Sequence, residues 1–446
     1  MTESPENVVS FDVTYALENE AGETLSTSSA KARLSDSSLA IEPANGNDLS
    51  ISYYDIKGIS DQDYTIKLFL SSRDKVTISK IGYEYENFLI TLYKMKNELY
   101  LRYLLMNEGL KADQIEASFS YTINGEEQFK GLCEVRLFDS ALVILPQKNK
   151  PVRIPYCYVT SVKEEDYSIT VEAEHGERLT FTQMGEKRDF LRRSLTEAMN
   201  ELSTRTQRII GEIQPQLDTM RKKKLADLMK DGRAAEKTEV DKISPEFWGL
   251  LEAKAKRMGL AESYDFLRDL SQRDRISLGV KRSLSDKDED EYIWFLIPIY
   301  SEDPHAPGNA VALEATTGAD EGRATYFFRI LTRADYQSGK TLPPLNSDYD
   351  EFLATINRCM IEINFRREPI FLTDDQLKDP KYVQYRFATQ EISSLQKLRN
   401  HFIGRVMHYN IDQWKNDVKA LLKFNVDEKS EDKRWEKSQT DAPETK

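Results

Sequence analysis

Cysteine and histidine are both scarce in this chain, and their scarcity argues against several classes of site. The 446 residues include only four histidines and three cysteines, Cys133, Cys157 and Cys359. The cysteine count is odd and no CxxC pair occurs, which argues against a disulfide framework or a thiol-rich zinc site. This usage is typical of a reducing compartment. We expect the three cysteines to be small buried hydrophobic residues.

Recognisable catalytic motifs are also missing. The sequence contains no GxxxxGK(S/T), GxGxxG, GxSxG or HExxH, so it offers no phosphate cradle, nucleophile elbow or zinc-binding helix. His401 and His408 are two helical turns apart, but a zinc pair usually has closer spacing and a carboxylate or thiol partner. We therefore predict no catalytic residue, no cofactor and no metal site.

Long apolar runs and excess positive charge are absent as well. The most apolar short run, Ile293–Tyr300, is far shorter than the ~20 residues that span a bilayer, and the N-terminal residues lack the pattern of a signal peptide. The net charge of −13 and pI near 5.1 argue against general nucleic-acid binding. The sequence predicts a cytoplasmic protein without a transmembrane segment.

What the chain does contain is an internal repeat. The stretch 32–98 matches 135–201 without a gap after a shift of 103 positions (33 to 136). A period this long indicates a duplicated domain, because solenoid repeats run at roughly 20–50 residues. The shared residues include Arg33/Arg136, Leu39/Leu142, Ile41/Ile144, Tyr53/Tyr156, Asp63/Asp166, Tyr64/Tyr167, Asn97/Asn200 and Glu98/Glu201.

Each copy has the pattern of six or seven short strands followed by one amphipathic helix. Apolar residues alternate along Phe11–Leu17, which predicts a half-buried strand. The small residues of Ser26–Lys31 predict a linker. In the first copy the period then changes to that of a helix, with Phe88, Leu92 and Leu99 on one face. A helix at the end of an antiparallel meander can cover one open end of a small barrel.

In this order of elements, each copy resembles a pleckstrin-homology-like (PH-like) domain, and the pair resembles a tandem PH-like module. The resemblance covers about residues 8–108 and 112–205, and it rests on strand order, the closing helix and phrases such as Leu39-x-Ile41 and Asp63-Tyr64-x-Ile66. Two departures bear on function. The closing helices lack the tryptophan of classical PH domains. The first hairpins, Ala16–Glu20 and Ile123–Glu127, are acidic where lipid-binding PH domains are basic.

The sequence therefore predicts an α+β protein built from two tandem PH-like small antiparallel β-barrels, a helical connector and a third α+β domain. A long helix is expected near Gln390–Tyr409, and Ser244 is expected to cap a helix that starts at Pro245. The predicted boundaries are a disordered tail at 1–9, PH-like domains at 10–110 and 111–205, the connector at 206–282, the α+β domain at 283–426 and a disordered tail at 427–446.

Two groups of residues are candidates for binding a partner. The cluster of Arg221, Lys222, Lys223 and Lys224 is either a solvated helix face or a contact for an acidic partner. The second group mixes cations with an aromatic ring and is either surface charge around a packed helix end or a recognition patch. It comprises Arg366, Arg367, Tyr385 and Arg386.

The leading hypothesis is a non-enzymatic adaptor or scaffold that binds other proteins or peptides. Small barrels of this kind offer a groove between the closing helix and a strand edge, where an extended peptide can add as a strand. One alternative is a protein that binds the surface of anionic membranes, against which the acidic hairpins count. Another is an enzyme with its site in residues 292–424, in which His401 or His408 would work with Glu362 or Arg386. The partner and the oligomeric state stay open.

Overall fold

The computed structural model of the chain describes residues 8–104, 108–282, 291–300, 308–317, 322–331 and 345–422. The chain forms two compact units, Met1–Leu195 and Thr196–Lys446. The predicted α+β class is confirmed, because curled antiparallel sheets and helices make up the structure. The predicted tail at 427–446 lies outside the described residues, as do residues 1–7 of the N-terminal tail.

The first unit contains two curled antiparallel sheets of seven strands, each followed by a helix. The first repeat consists of β1 (Val9–Glu18), β2 (Thr24–Leu34), β3 (Ser38–Pro43), β4 (Leu49–Ser52), β5 (Ile56–Gln62), β6 (Thr65–Leu70), β7 (Lys75–Ser79) and helix α1 (Tyr85–Leu104). The second repeat consists of β8 (Leu110–Ile123), β9 (Glu126–Phe138), β10 (Ala141–Pro146), β11 (Val152–Pro155), β12 (Val159–Glu165), β13 (Ser168–Ala173), β14 (Glu177–Thr182) and helix α2 (Lys187–Ile213).

The strand orders of the two sheets are equivalent, as a duplication requires. They run β4-β3-β2-β1-β7-β6-β5 and β11-β10-β9-β8-β14-β13-β12. The first strand of each sheet is long and pairs on both sides. Strand β1 pairs with β2 along its whole length and with β7 from Thr14 onward, and β8 is used in the same way between β9 and β14.

The core of the first repeat follows from alternation along its strands and from the apolar face of α1. Phe11, Val13 and Tyr15 are buried, and the ring of Phe11 meets that of Phe88 on α1 edge-on at 5.1 Å. The prediction of a linker at Ser26–Lys31 is wrong, because these residues form the middle of β2 and pair with β1. Pairing along the whole of β1 outweighs the weak strand preference of small residues.

The second unit is built on a six-stranded antiparallel sheet whose order follows the chain. Its strands are β15 (Ala235–Glu236), β16 (Ser277–Arg282), β17 (Glu291–Tyr300), β18 (Gly308–Thr316), β19 (Gly322–Arg329) and β20 (Phe402–Met407). Its helices after α2 are α3 (Thr219–Leu228), α4 (Lys237–Ile243), α5 (Pro245–Ala255), α6 (Ala261–Leu270), α7 (Leu345–Glu362), α8 (Glu368–Phe371), α9 (Val383–Glu391), α10 (Ser393–His401) and α11 (Ile411–Leu422).

The segment predicted as a helical connector, 206–282, is not purely helical. It contributes β15 and β16 to the sheet, and the helices from α3 to α6 pack into the same core as the strands. Trp248, Leu251 and Tyr264 from this segment share that core with Phe295 and Trp414. The strand β16 was missed because its six residues include a glycine and two terminal cations, which give no clear period. The predicted domain boundaries themselves stay a prediction.

One local prediction in this unit is wrong, and another is confirmed. The long helix expected near Gln390–Tyr409 ends at His401, and the next six residues form β20, which pairs with β19. Aromatic and β-branched residues in Phe402–Met407 favour this pairing. Ser244 is the N-cap residue of the helix that starts at Pro245, as expected, and its hydroxyl bonds the side chains of Gln214 and Glu246 rather than a backbone N–H of the first turn.

Candidate functional site

Helix α1 closes the first repeat with one face and packs on the second repeat with another. Leu101 on α1 contacts Phe138, Val143 and Leu145 of the second repeat in a small apolar cluster. As a result every residue of β10 is buried, whereas its counterpart β3 alternates. The sequence carries the signal, because Val143 and Leu145 stand where the first repeat has Ala40 and Glu42.

Polar groups fix the helix next to this apolar cluster. The Asn97 side chain is 2% exposed, and its Nδ2 donates to the backbone oxygens of Pro146 and Asn149 at 3.1 and 2.9 Å. Arg136 joins α1 to the sheet, since Nη1 donates to Glu98 at 2.9 Å and Nε donates to Glu134 at 2.7 Å. Burial raises the pKa of the Glu134 carboxyl, but the hydrogen bond and charge of Arg136 together lower it below its ordinary value.

A pocket of about 330 Å³ opens between α1 and the outer face of the second sheet, and we call it the inter-repeat pocket. Its apolar lining comes from Ile90 on α1 and from Leu132, Leu145 and Pro146 on the sheet. The Leu132 side chain is 52% exposed. The remaining lining residues are Lys94, Asn97, Glu98, Glu116, Ala117, Ser118, Cys133, Glu134, Gln147 and Gln183.

The thiol of Cys133 is not a reactive group of this pocket. Burial, with a smaller effect from Glu134, raises the pKa of Cys133 to about 12. The neutral thiol is a poor nucleophile and a poor metal ligand. All three cysteines are free and buried, as the sequence predicted. Among the described residues, no group of three histidine, cysteine or acidic side chains is placed to hold a metal ion.

Strand β9 lies beside the inter-repeat pocket. Over half of its length it has a paired neighbour on one side and, among the described strands, none on the other. Strand β10 aligns with β9 from Leu137 to Cys133, and a last bond joins the Gln147 N–H to the Leu132 oxygen. Within the described part of the chain, residues 126–131 of β9 align only with β8. An edge of this kind is a template for an additional strand. The pocket therefore lies where such a strand would begin.

The grooves that the sequence predicted within each repeat are different from this one. In the second repeat, Arg188 and Arg192 on α2 reach the edge strand β12, where both pair with Glu164, and Arg188 also donates to the backbone oxygen of Glu165 at 3.4 Å. These arginines bridge helix and edge. In the first repeat the equivalent of Arg188 is Tyr85, which is buried and meets the ring of Tyr64 edge-on at 5.4 Å.

The predicted basic cluster lies on α3 in the second unit. Arg221, Lys223 and Lys224 are exposed, and Arg221 pairs with Asp218 at 3.4 Å. Lys222 is half-buried, because its side chain lies against Gly211 of α2. The cluster stays a prediction as a binding surface.

The second predicted group is divided between the surface and the core. Arg367 is buried, where its Nε donates to the Glu314 carboxylate at 2.7 Å, and Tyr385 is buried as well. Neither side chain presents a surface to a partner. The sequence pattern did not reveal this, because it does not distinguish a packed cation from a solvated one. Arg366 and Arg386 are half-buried and stay predictions.

The residues of the enzyme alternative lie on different elements of the second unit. His401 ends α10 and its Nδ1 donates to the Arg329 backbone oxygen at 2.9 Å, while His408 follows β20. The two histidines therefore do not share a helical face. Glu362 is held by Arg358 at 2.9 Å and by the Ser394 hydroxyl.

His408 gives the second unit a measurable pH dependence. Trp414 donates to the Thr325 hydroxyl, and Nε2 of His408 lies within hydrogen-bond distance of the same oxygen, at 2.7 Å. Burial and then the charge of Arg323 lower the pKa of His408 to about 4. Between that pKa and the ordinary ~6.5, the unfolded chain binds more protons, so the unit loses stability as the pH falls.

We expect the free energy of unfolding to fall by about 1 kcal/mol between pH 7 and pH 5 because of this histidine, after allowance for solvent screening of a partly exposed group. Urea denaturation followed by tryptophan fluorescence measures it. In the His408→Gln variant the free energy of unfolding should fall less over this pH range, by the amount that the other titrating groups contribute. An equal decrease in both proteins would contradict the assignment.

Comparison with known proteins gives little information about this site. No family model matches the chain, and no curated protein matches it. Among solved structures, the "Structure of the Spt16D Pob3N heterodimer" matches at 16% identity and a TM-score of 0.16, over 37% of this chain and 83% of that one. A TM-score this low does not establish a shared fold. The resemblance to PH-like domains therefore continues to rest on strand order and the closing helix. No helix formed by the described residues has the length and apolar composition needed to cross a membrane.

Proposed function

We propose that this chain is a non-enzymatic protein-interaction module that binds an extended segment of a partner protein between its two repeats. The observation that carries the proposal is the junction of the inter-repeat pocket with the one-sided half of β9. A segment that pairs with β9 would continue the line of β10, and its first side chains would reach the pocket at Leu132. Backbone pairing supplies affinity in this mode of recognition, and a side-chain pocket supplies specificity.

The apolar lining supports binding because it is particular to this junction. The residues that correspond to Ile90 and Leu132 in the other repeat are Arg193 and Ser29. Duplication alone would not produce an exposed leucine facing a helix. A volume of about 330 Å³ is at the lower end for small-ligand sites and suits one or two side chains of a segment.

The rigidity of the site also supports the proposal. The wall formed by α1 is fixed by the Leu101 cluster, by Asn97 and by the bonds of Arg136 to Glu98 and Glu134. A site that is already ordered does not lose this conformational entropy when the partner binds. The partner segment then carries most of the ordering cost.

A library of random twelve-residue peptides, displayed on phage and selected on the immobilised full-length chain, tests the proposal. Affinities of the selected peptides are measured by fluorescence polarisation. The Leu132→Glu substitution should weaken binding about 10-fold or more, because it removes an apolar contact and places a carboxylate at the pocket.

The matched control is Leu25→Glu. Leu25 is 59% exposed and lies on β2, the first repeat's equivalent of β9, away from the pocket. Affinity for this variant should stay within about twofold of wild type. Selected peptides that bind both variants equally well, or a failure to select any peptide, would overturn the proposal.

A further inference from the structure

The wall of the inter-repeat pocket contains a buried acceptor without a partner, which is the side-chain oxygen of Asn97. The orientation of this amide is fixed, since its nitrogen faces two backbone oxygens and only an NH₂ group can donate to both. The oxygen therefore points away from these bonds. An unpaired buried carbonyl is costly, and a donor that entered the pocket would remove that cost.

The charges around the pocket add to this preference for a donor. The lining carries three carboxylates, Glu98, Glu116 and Glu134, against the single amine of Lys94. Arg136 neutralises one more charge through its bonds to Glu98 and Glu134. The three carboxylates and the two cations together leave one negative charge in excess. The exposed carboxylate of Glu116 on β8 accounts for this excess.

Neither neighbouring group satisfies the acceptor. The thiol of Cys133 is only a weak donor. The charge of Lys94 acts on the carboxylate of Glu134, whose pKa it helps to lower. A single cationic donor from outside would satisfy both the buried oxygen and the excess carboxylate.

We propose that the inter-repeat pocket binds the ammonium or guanidinium group of one lysine or arginine side chain of the partner segment. This inference rests on the proposed function and adds the chemistry of the partner. The aliphatic part of such a side chain would lie between Ile90 and Leu132 while its charged head meets Asn97 and Glu116. The pocket then selects a basic residue at one position of an otherwise extended segment.

Each lysine or arginine of the selected peptides is replaced in turn by methionine, which keeps the length of the side chain and removes its charge. One such replacement should weaken binding to the wild-type chain about 10- to 100-fold, as expected for a charge-assisted hydrogen bond. The same replacement should weaken binding to the Glu116→Gln variant by less than about threefold. Asp113→Asn is the matched control on the same strand and should leave the full effect in place.

The outcomes separate the two proposals. Peptides that depend on Leu132 but tolerate methionine at every basic position would overturn this inference and leave the proposed function standing. A methionine effect of equal size in wild type and Glu116→Gln would overturn it too. If no selected peptide depends on Leu132, both proposals fail. Thermal melting of each variant, compared with wild type, shows that the fold is intact.

Discussion

Replacing Arg367 with methionine is expected to destabilise the second unit by about 3–5 kcal/mol. Arg367 and Glu314 are 9% and 6% exposed, and they form an ion pair inside the unit. The guanidinium carbon lies 5.2–5.9 Å from the centroids of four rings, and the Tyr292 hydroxyl donates to the same carboxylate. The rings belong to Tyr292, Trp294, Tyr326 and Phe365. Loss of the cation would leave a buried carboxylate without its main partner.

The cost of this substitution should depend on pH in a defined direction. Burial raises the pKa of the Glu314 carboxyl well above its ordinary value, and loss of the neighbouring guanidinium charge would raise this pKa further. Without Arg367, the folded state holds a proton that the unfolded state releases near the ordinary ~4.3. Stability of the variant is therefore lost as the pH rises, and the destabilisation should be larger at pH 8 than at pH 5.

Tryptophan fluorescence reports on this unit alone, because all four tryptophans lie at position 248 or beyond. Urea denaturation of Arg367→Met should shift strongly, and addition of Glu314→Gln should recover part of the loss. Arg273→Met is the matched control, since its pair with Asp269 is solvent-exposed, and it should change stability by less than about 0.5 kcal/mol. An Arg367→Met effect as small as that of the control would contradict the description of the pair as buried and coupled.

The second large effect is expected from Asn97→Leu, which should destabilise the first unit by about 2–3 kcal/mol. The substitution leaves the backbone oxygens of Pro146 and Asn149 without their donor at a buried junction. The two side chains have the same number of heavy atoms and the same branching, so the lost hydrogen bonds are the main change. Differential scanning calorimetry of the full-length chain measures the shift of the transition of the first unit.

The repeat itself provides the control for this prediction. Asn200 is the counterpart of Asn97 after the shift of 103 positions and is exposed on α2. Asn200→Leu should therefore alter stability by less than about 0.5 kcal/mol. Equal effects at the two positions would show that the hydrogen bonds of Asn97 do not hold the repeats together.

The pair Asn97 and Asn200 also shows what could and could not be predicted from the sequence. The internal sequence match, the alternation along the strands and the helical period of the closing helices identified both repeats and the order of their elements. The same residues in the same local pattern nevertheless have different environments, because α1 packs on the other repeat and the Asn200 position of α2 is exposed. The uninterrupted apolar run of β10 was the available signal for that packing, since a strand covered on one face alternates and one covered on both does not.

The remaining differences have similar causes. Strands β16 and β20 and the Ser26–Lys31 part of β2 were missed because pairing across the sheet decided their conformation, against small residues in β2 and the apparent helical period before β20. Arg366 and Arg367 are adjacent and chemically equal, yet only Arg367 is in the core. A signal existed in Glu314, a lone carboxylate within the apolar strand Gly308–Thr316, because a buried acid requires a partner.

The central claim is that the one-sided half of β9 and the inter-repeat pocket receive an extended segment. Hydrogen–deuterium exchange of the full-length chain, with and without a saturating selected peptide, tests it most directly. We expect slower exchange of the backbone amides of residues 126–132, no change in the second unit, and weaker protection in the Leu132→Glu variant at a peptide concentration that half-saturates the wild-type chain. Protection confined to the basic cluster on α3, or unchanged exchange along β9 at saturation, would contradict the claim.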